Sequence, residues 1–141
     1  MKVRDDVICI LQRAIDSVLN GSYANFELIV VDDASPDRTP EVMRDQRDAR
    51  IRYLRMPQNG GVLRARNRGF DVAAGDYVTI LDDDDELLPD ALATVASEFA
   101  KPDNSGVDVI WFDCIDAESG QPSGSAIAPD GILRFEDYLC G

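Results

Sequence analysis

The chain has 141 residues, enough for one domain with a real core and too few for two. Its net charge of -13, from 14 basic and 27 acidic residues, excludes a general phosphate-backbone binder, which needs a basic face. The absence of histidine removes Ser-His and Cys-His nucleophilic machinery and any histidine-based zinc site.

Taken in order, the residues alternate strand and helix. Val7-Ile8-Cys9-Ile10-Leu11 reads as a short buried strand. Ala14 to Leu19 has helical spacing and stops at Asn20-Gly21, a C-terminal cap signal. Phe26 to Val31 is the clearest strand, and it ends in acid at Asp32-Asp33. Ala34 to Arg38 is turn chemistry; Thr39 then suits a helix cap, with Pro40 at the first position and Glu41 near the positive end of the dipole. That helix is expected to reach about Arg47. Ile51 to Arg55 alternates as a strand does, and Pro57 to Gly61 is a turn. A helix follows from about Val62 to Ala74, with Leu63, Asn67, Phe70 and Ala74 on one stripe.

Tyr77-Val78-Thr79-Ile80-Leu81 then reads as a buried strand running straight into five acids, Asp82 to Glu86. Pro89 starts a helix to about Ala100, stopped by Pro102 and Asn104. Val107 to Phe112 is a further strand. Ala117 to Asp130 turns to Gly, Ser and Pro and reads as a loop, and Ile132 to Leu139 is a short amphipathic segment. Strands alternating with helices predict an α/β fold with a mostly parallel sheet and helices on both faces.

Cys9, Cys114 and Cys140 are odd in number and widely spaced, so free core thiols in a reducing compartment are expected. No run approaches the ~20 apolar residues of a membrane span, and no signal peptide is evident. The expectation is a cytoplasmic protein or domain.

Two strands end in acidic groups, and in a parallel sheet both ends share one edge, so Asp32-Asp33 and Asp82 to Asp85 could face one crevice. Carboxylates packed this tightly repel one another and call for a cation, most simply a divalent metal with hard oxygen ligands. Asp32-Asp33 also suits plain turn chemistry before a helix, and the acidic run also suits a solvated helix approach. An EF-hand starting at Asp82 would need Gly and Glu where Leu87 and Ala93 stand. A DxDx[TV] phosphatase motif would need Thr or Val where Glu86 stands, and a response-regulator receiver lacks its late lysine.

The chain resembles the family 2 glycosyltransferases, whose fold is GT-A, a Rossmann-like α/β arrangement. Three blocks carry the resemblance: Phe26 to Ser35; Asn59-Gly60-Gly61-Val62 with Ala65-Arg66-Asn67-Arg68-Gly69; and Gly75-Asp76-Tyr77 through Leu81-Asp82-Asp83-Asp84-Asp85 to Pro89-Asp90-Ala91-Leu92, which contains a DxD motif. It covers about residues 13 to 100.

The resemblance implies metal-dependent, inverting transfer of a sugar from a nucleotide-diphosphate donor, a UDP-sugar foremost, to an acceptor the sequence does not name. It implies Mg²⁺ or Mn²⁺ bridging the diphosphate and Asp84, with Asp82 and Asp83 against the ribose and metal-bound water. Asp33 is expected to contact the nucleoside. Arg64 is expected at base or phosphate, or as a plain helix charge, and Asn67 at the acidic loop or in helix–sheet packing. No nucleic-acid partner is expected; attachment at the inner face of a membrane is open.

Two departures bear on activity. The family's opening strand runs into P-x-[YF]-N, which helps hold the base; here Ile8 to Leu11 runs into Gln12-Arg13-Ala14-Ile15. The general base is expected to be a downstream carboxylate, and Glu136-Asp137 supplies the only late pair, with Asp137 as the candidate base and a solvated helix start as the alternative. Residues 1–141 are therefore expected to be a truncated, nucleotide-sugar-binding portion of a transferase. The alternative is a non-catalytic nucleotide-sugar or metal-binding module, an inactive fragment.

Overall fold

The computed structural model describes residues 3–107, 114–116 and 118–123. Its elements in chain order are α1 (Val3–Leu19), β1 (Leu28–Asp32), α2 (Thr39–Asp45), β2 (Ile51–Arg55), α3 (Val62–Phe70) and α4 (Ala91–Phe99). A 3-10 turn at Pro102–Asn104 and two short strands, β3 (Cys114–Ile115) and β4 (Pro122–Ser123), follow. The chain divides into two compact units at Ala93/Thr94.

In the first unit, β1 and β2 pair in parallel, with Leu28 opposite Ile51 and Asp32 opposite Arg55. β1 is rich in β-branched aliphatic residues, and β2 alternates Ile51, Tyr53 and Arg55 with Arg52 and Leu54, which suits a pleated, half-buried surface. The ladder is extended by Leu28 N to Arg50 O and Met56 N to Asp32 O, each 2.8 Å. The most buried apolar residues are Ala14, Ile15 and Val18 of α1 and Met43 of α2, between 2% and 5% exposed.

The strand expected at Val7–Leu11 is part of α1 instead. An apolar run of five residues is ambiguous between strand and helix. Here Ile8, Leu11, Ile15 and Val18 continue the three-to-four spacing of the helix, which settles the ambiguity. Cys9 lies on this helix as a free and exposed thiol, not a core one. α1 ends at Asn20-Gly21, where Asn20 N donates to Asp16 O and Gly21 N to Val18 O.

Asp37, not Thr39, caps α2: its Oδ1 accepts the Thr39 amide at 2.9 Å, while Arg38 occupies the cap position without a side-chain hydrogen bond. α2 closes at Asp45, short of Arg47.

α3 packs on β1. The stripe expected to face inward is wrong: Leu63 is 71% and Phe70 47% exposed. Gly69 lies against β1 instead: a Cβ added there would lie 3.6 Å from Val31 Cγ2. A helix approaches a sheet closely where its side chains are small. Beyond α3 the chain is tied back to the sheet by Glu27 Oε1, which accepts Ala74 N at 2.6 Å, and by Arg52, which donates to Val72 O at 3.1 Å.

Tyr77–Leu81 is not a buried strand. The segment joins no ladder among the described residues, and Tyr77, Val78 and Ile80 are 48–56% exposed. A strand exists through its neighbour, and none is paired with this segment among the described residues.

In the second unit, Asn104 Nδ2 donates to Glu98 O at 2.7 Å and caps the end of α4, and Gly106 has a positive φ of 82°. β3 and β4 form a two-residue antiparallel pair, and β4 falls inside the stretch expected to be a loop. The strand expected over 107–112 and the segment 132–139 fall at positions 108–113 and 124–141, outside the described residues, apart from Val107.

Candidate functional site

The site is assembled around α3, which touches both acidic clusters. Asp33 follows β1, and its carboxylate accepts the amides of Gly60 at 2.8 Å and Gly61 at 2.7 Å, immediately before α3. A carboxylate there also faces the positive end of the helix dipole. Gly61 has φ +84°, a conformation that favours glycine. At Gly60 a Cβ would meet Arg64 Cδ at 3.0 Å, because the Arg64 side chain folds back over this residue. At the other cluster, Arg66 donates to Asp82 Oδ1 at 2.7 Å.

Asp32 has a different role from Asp33. It is 4% exposed, and its carboxylate accepts Tyr53 Oη at 2.5 Å, Arg55 at 2.9 Å and the Ser35 amide at 2.7 Å. Burial pushes its carboxyl up, but the Tyr53, Ser35 and Arg55 contacts outweigh burial and hold it below the usual value. Burial and the bond to Asp32 push the Tyr53 hydroxyl up. This network fixes the end of β1, where Ala34 takes a positive φ of 61°, and so aims Asp33 toward Gly60 and Gly61. Both carboxylate oxygens of Asp32 are already engaged, which makes it a support and leaves the half-buried Asp33 as the more accessible member of the pair.

The acidic run itself is an exposed turn, closed by Asp85 N to Asp82 O at 3.1 Å. Arg13 of α1 pairs with Glu86 at its far end. The carboxylates of Asp83, Asp84 and Asp85 have no side-chain hydrogen bond or ion pair among the described residues. No group of three Asp, Glu, Cys or His forms a metal cage there either. A hard cation such as Mg²⁺ takes one or two carboxylates together with phosphate oxygens, so uncommitted carboxylates in a turn fit that donor set.

Of the residues singled out from sequence, Asp33, Arg64 and Asp82 thus gather around the first half of α3. Asp83 and Asp84 follow Asp82 in the same turn. Arg64 makes no ion pair among the described residues. Asn67 is exposed, and Arg66, not Asn67, reaches the acidic run. Asp137 and Glu136 lie outside the described residues. An open hollow of about 540 Å³ between α1 and α2, lined by Cys9, Gln12, Arg13, Arg38 and Val42 among others, contains none of the acidic residues of the run.

The family model for "Glycosyl transferase family 2" matches residues 7–138. The chain belongs to glycosyltransferase family 2. Its α/β architecture, with a parallel strand pair and α3 against it, is that of a GT-A fold. The chain is 34% identical over 137 residues to a GalNAc(5)-diNAcBac-PP-undecaprenol beta-1,3-glucosyltransferase of Campylobacter jejuni, covering 92% of this chain and 43% of that one. It is 43% identical over 86 residues to an uncharacterized glycosyltransferase of Haemophilus influenzae, covering 60% of this chain and 34% of that one. It is 34% identical over 143 residues to the O-antigen biosynthesis protein RfbC of Myxococcus xanthus, covering 97% of this chain and 11% of that one. The family 2 chain thus spans less than half the length of each of these relatives. No solved structure matches it. No helix among its described residues is long and apolar enough to cross a membrane.

Proposed function

We propose that residues 1–141 are the donor-binding portion of a metal-dependent, inverting glycosyltransferase that takes a nucleotide-diphosphate sugar, a UDP-sugar foremost. The observation that carries this reading is the joining of two acidic clusters by one helix: Asp33 holds the turn before α3, and Arg66 on α3 holds Asp82. Asp33 keeps free lone pairs beyond its two backbone bonds and can accept from the nucleoside. Asp82 and Asp83 lie toward the ribose, Arg64 meets the base or phosphate, and Asp84 holds Mg²⁺ or Mn²⁺. A cation held by Asp84 would supply charge neutralisation for the departing diphosphate. The chain's own contribution is to present Asp84 in a turn whose ends are fixed, and to keep Asp33 in place through Asp32.

The acceptor is proposed to be a lipid-linked sugar, in line with the undecaprenol-linked substrate named for the Campylobacter relative, which would bring the protein to the inner face of a membrane. Asp137 is the candidate base. A second reading, a nucleotide-sugar-binding module without turnover, is favoured by one feature: α1 runs unbroken through residues 7–15, where the sequence lacks the family's base-holding turn.

Incubation of the protein with Mn²⁺ and a panel of radiolabelled UDP-sugars separates the two. Transfer to a lipid-linked acceptor, or slow donor hydrolysis that stops in Asp84→Ala, supports the enzyme. Donor binding without either supports the module.

A further inference from the structure

The fold does not treat the five acids Asp82 to Glu86 alike. Arg66 of α3 takes the first and Arg13 of α1 takes the last. Beside the far end, the Leu87 amide donates to Ser17 Oγ at 3.0 Å, and Ser17 Oγ donates to Ala14 O at 2.7 Å. Ser22 N donates to Pro89 O at 2.8 Å just beyond. The run is therefore pinned at both ends, while the carboxylates of Asp83, Asp84 and Asp85 between the pins hold no partner among the described residues.

Like charges in a short exposed turn would splay it. Each arginine cancels one charge and fixes one end, so the ordering entropy of the turn is met during folding and not during ligand binding. We propose that Arg66 and Arg13 are positioning residues for donor binding: acting through Asp82 and Glu86, they clamp the acidic turn so that Asp84 is presented to a divalent cation. This rests on the reading of Asp84 given above. Neither arginine touches the ligand. Exposed ion pairs are individually weak, so each clamp is worth roughly a two- to fivefold change in cation affinity.

The test is Mn²⁺ titration of the full chain with saturating UDP, followed by electron paramagnetic resonance. Arg13→Glu weakens Mn²⁺ binding, and the reversed pair Arg13→Glu/Glu86→Arg restores it to within about twofold, since neither residue belongs to the binding machinery. Arg66→Ala weakens binding in the wild-type background and adds nothing in an Asp82→Asn background. Thermal melts accompany each variant, and Arg13→Gln with Glu86→Gln replaces the reversal if that fails to fold; the two single variants and their double then bind equally.

If the reversed pair stays as weak as Arg13→Glu while Asp84→Ala abolishes binding, the clamp is wrong and the Asp84 reading stands. An undiminished loss from Arg66→Ala in the Asp82→Asn background also overturns the clamp, because Arg66 then acts on the ligand directly. If Asp84→Ala binds Mn²⁺ as the wild type does, the underlying reading falls, and the clamp with it.

Discussion

Asp33 closes on Gly61, accepting its amide at 2.7 Å across 28 residues of chain. The same carboxylate takes Gly60 at 2.8 Å, so one side chain ties the end of β1 to the start of α3. Asp33→Ala leaves two amides to solvent and removes the tie. The expected loss is about 1–2 kcal/mol of unfolding free energy, at the low end for charged hydrogen bonds because the site is partly exposed. Urea unfolding checks it. UDP binding should weaken in the same variant, and Asp33→Asn, which keeps one acceptor oxygen, should lose less of both.

Adjacent glycines before α3 should respond differently to substitution. Gly61 has φ +84° and open space around its Cα, so Gly61→Ala is strained by backbone alone and should cost about 1 kcal/mol. At Gly60 the conflict is with Arg64 Cδ at 3.0 Å, the middle of a flexible, exposed side chain that can swing away. Gly60→Ala should therefore cost less than Gly61→Ala in the same denaturation experiment. The reverse order would show that Arg64 is held rigidly.

Acid should destabilise the first unit in a defined window. Asp32 has its carboxyl held below the usual value, and Arg50 brings Asp48 down to about 2. A carboxyl whose folded pKa lies below its unfolded one stabilises the fold above the unfolded pKa, about 3.9. That contribution is lost as pH falls through the folded value. Stability should be flat from pH 7 to 5 and fall between about 4 and 2. Tyr53→Phe removes the 2.5 Å hydrogen bond to Asp32, and it should lower stability at pH 7 by about 1 kcal/mol and move the acid midpoint to higher pH. Circular dichroism across a pH series reads both.

Much of the scaffold was legible in the residues. The alternation of Ile51–Arg55 and the aliphatic run before Asp32 marked β2 and β1, because strand periodicity and burial agree there. Val7–Leu11 misled because a short apolar run fits either period, and only its continuation into Ile15 and Val18 decides for helix. On α3, apolar content pointed to Leu63 and Phe70, whereas the packing face is chosen by the small Gly69. Within the candidate site, Asp33, Asp82 and Asp84 were singled out by motif order. Arg66 and the supporting role of Asp32 were not, because their partners lie 16 to 23 residues away in sequence and no local pattern encodes such pairs.

The central claim is that the acidic turn holds a divalent cation through Asp84 and that the cation holds a nucleoside diphosphate. Titration calorimetry of UDP against the protein, with Mn²⁺ and then with EDTA, tests it most directly. The account predicts binding with Mn²⁺, none with EDTA, and none in Asp84→Ala whose thermal melt matches the wild type. Equal UDP affinity with and without the metal, or an Asp84→Ala variant that binds as the wild type does, would contradict it.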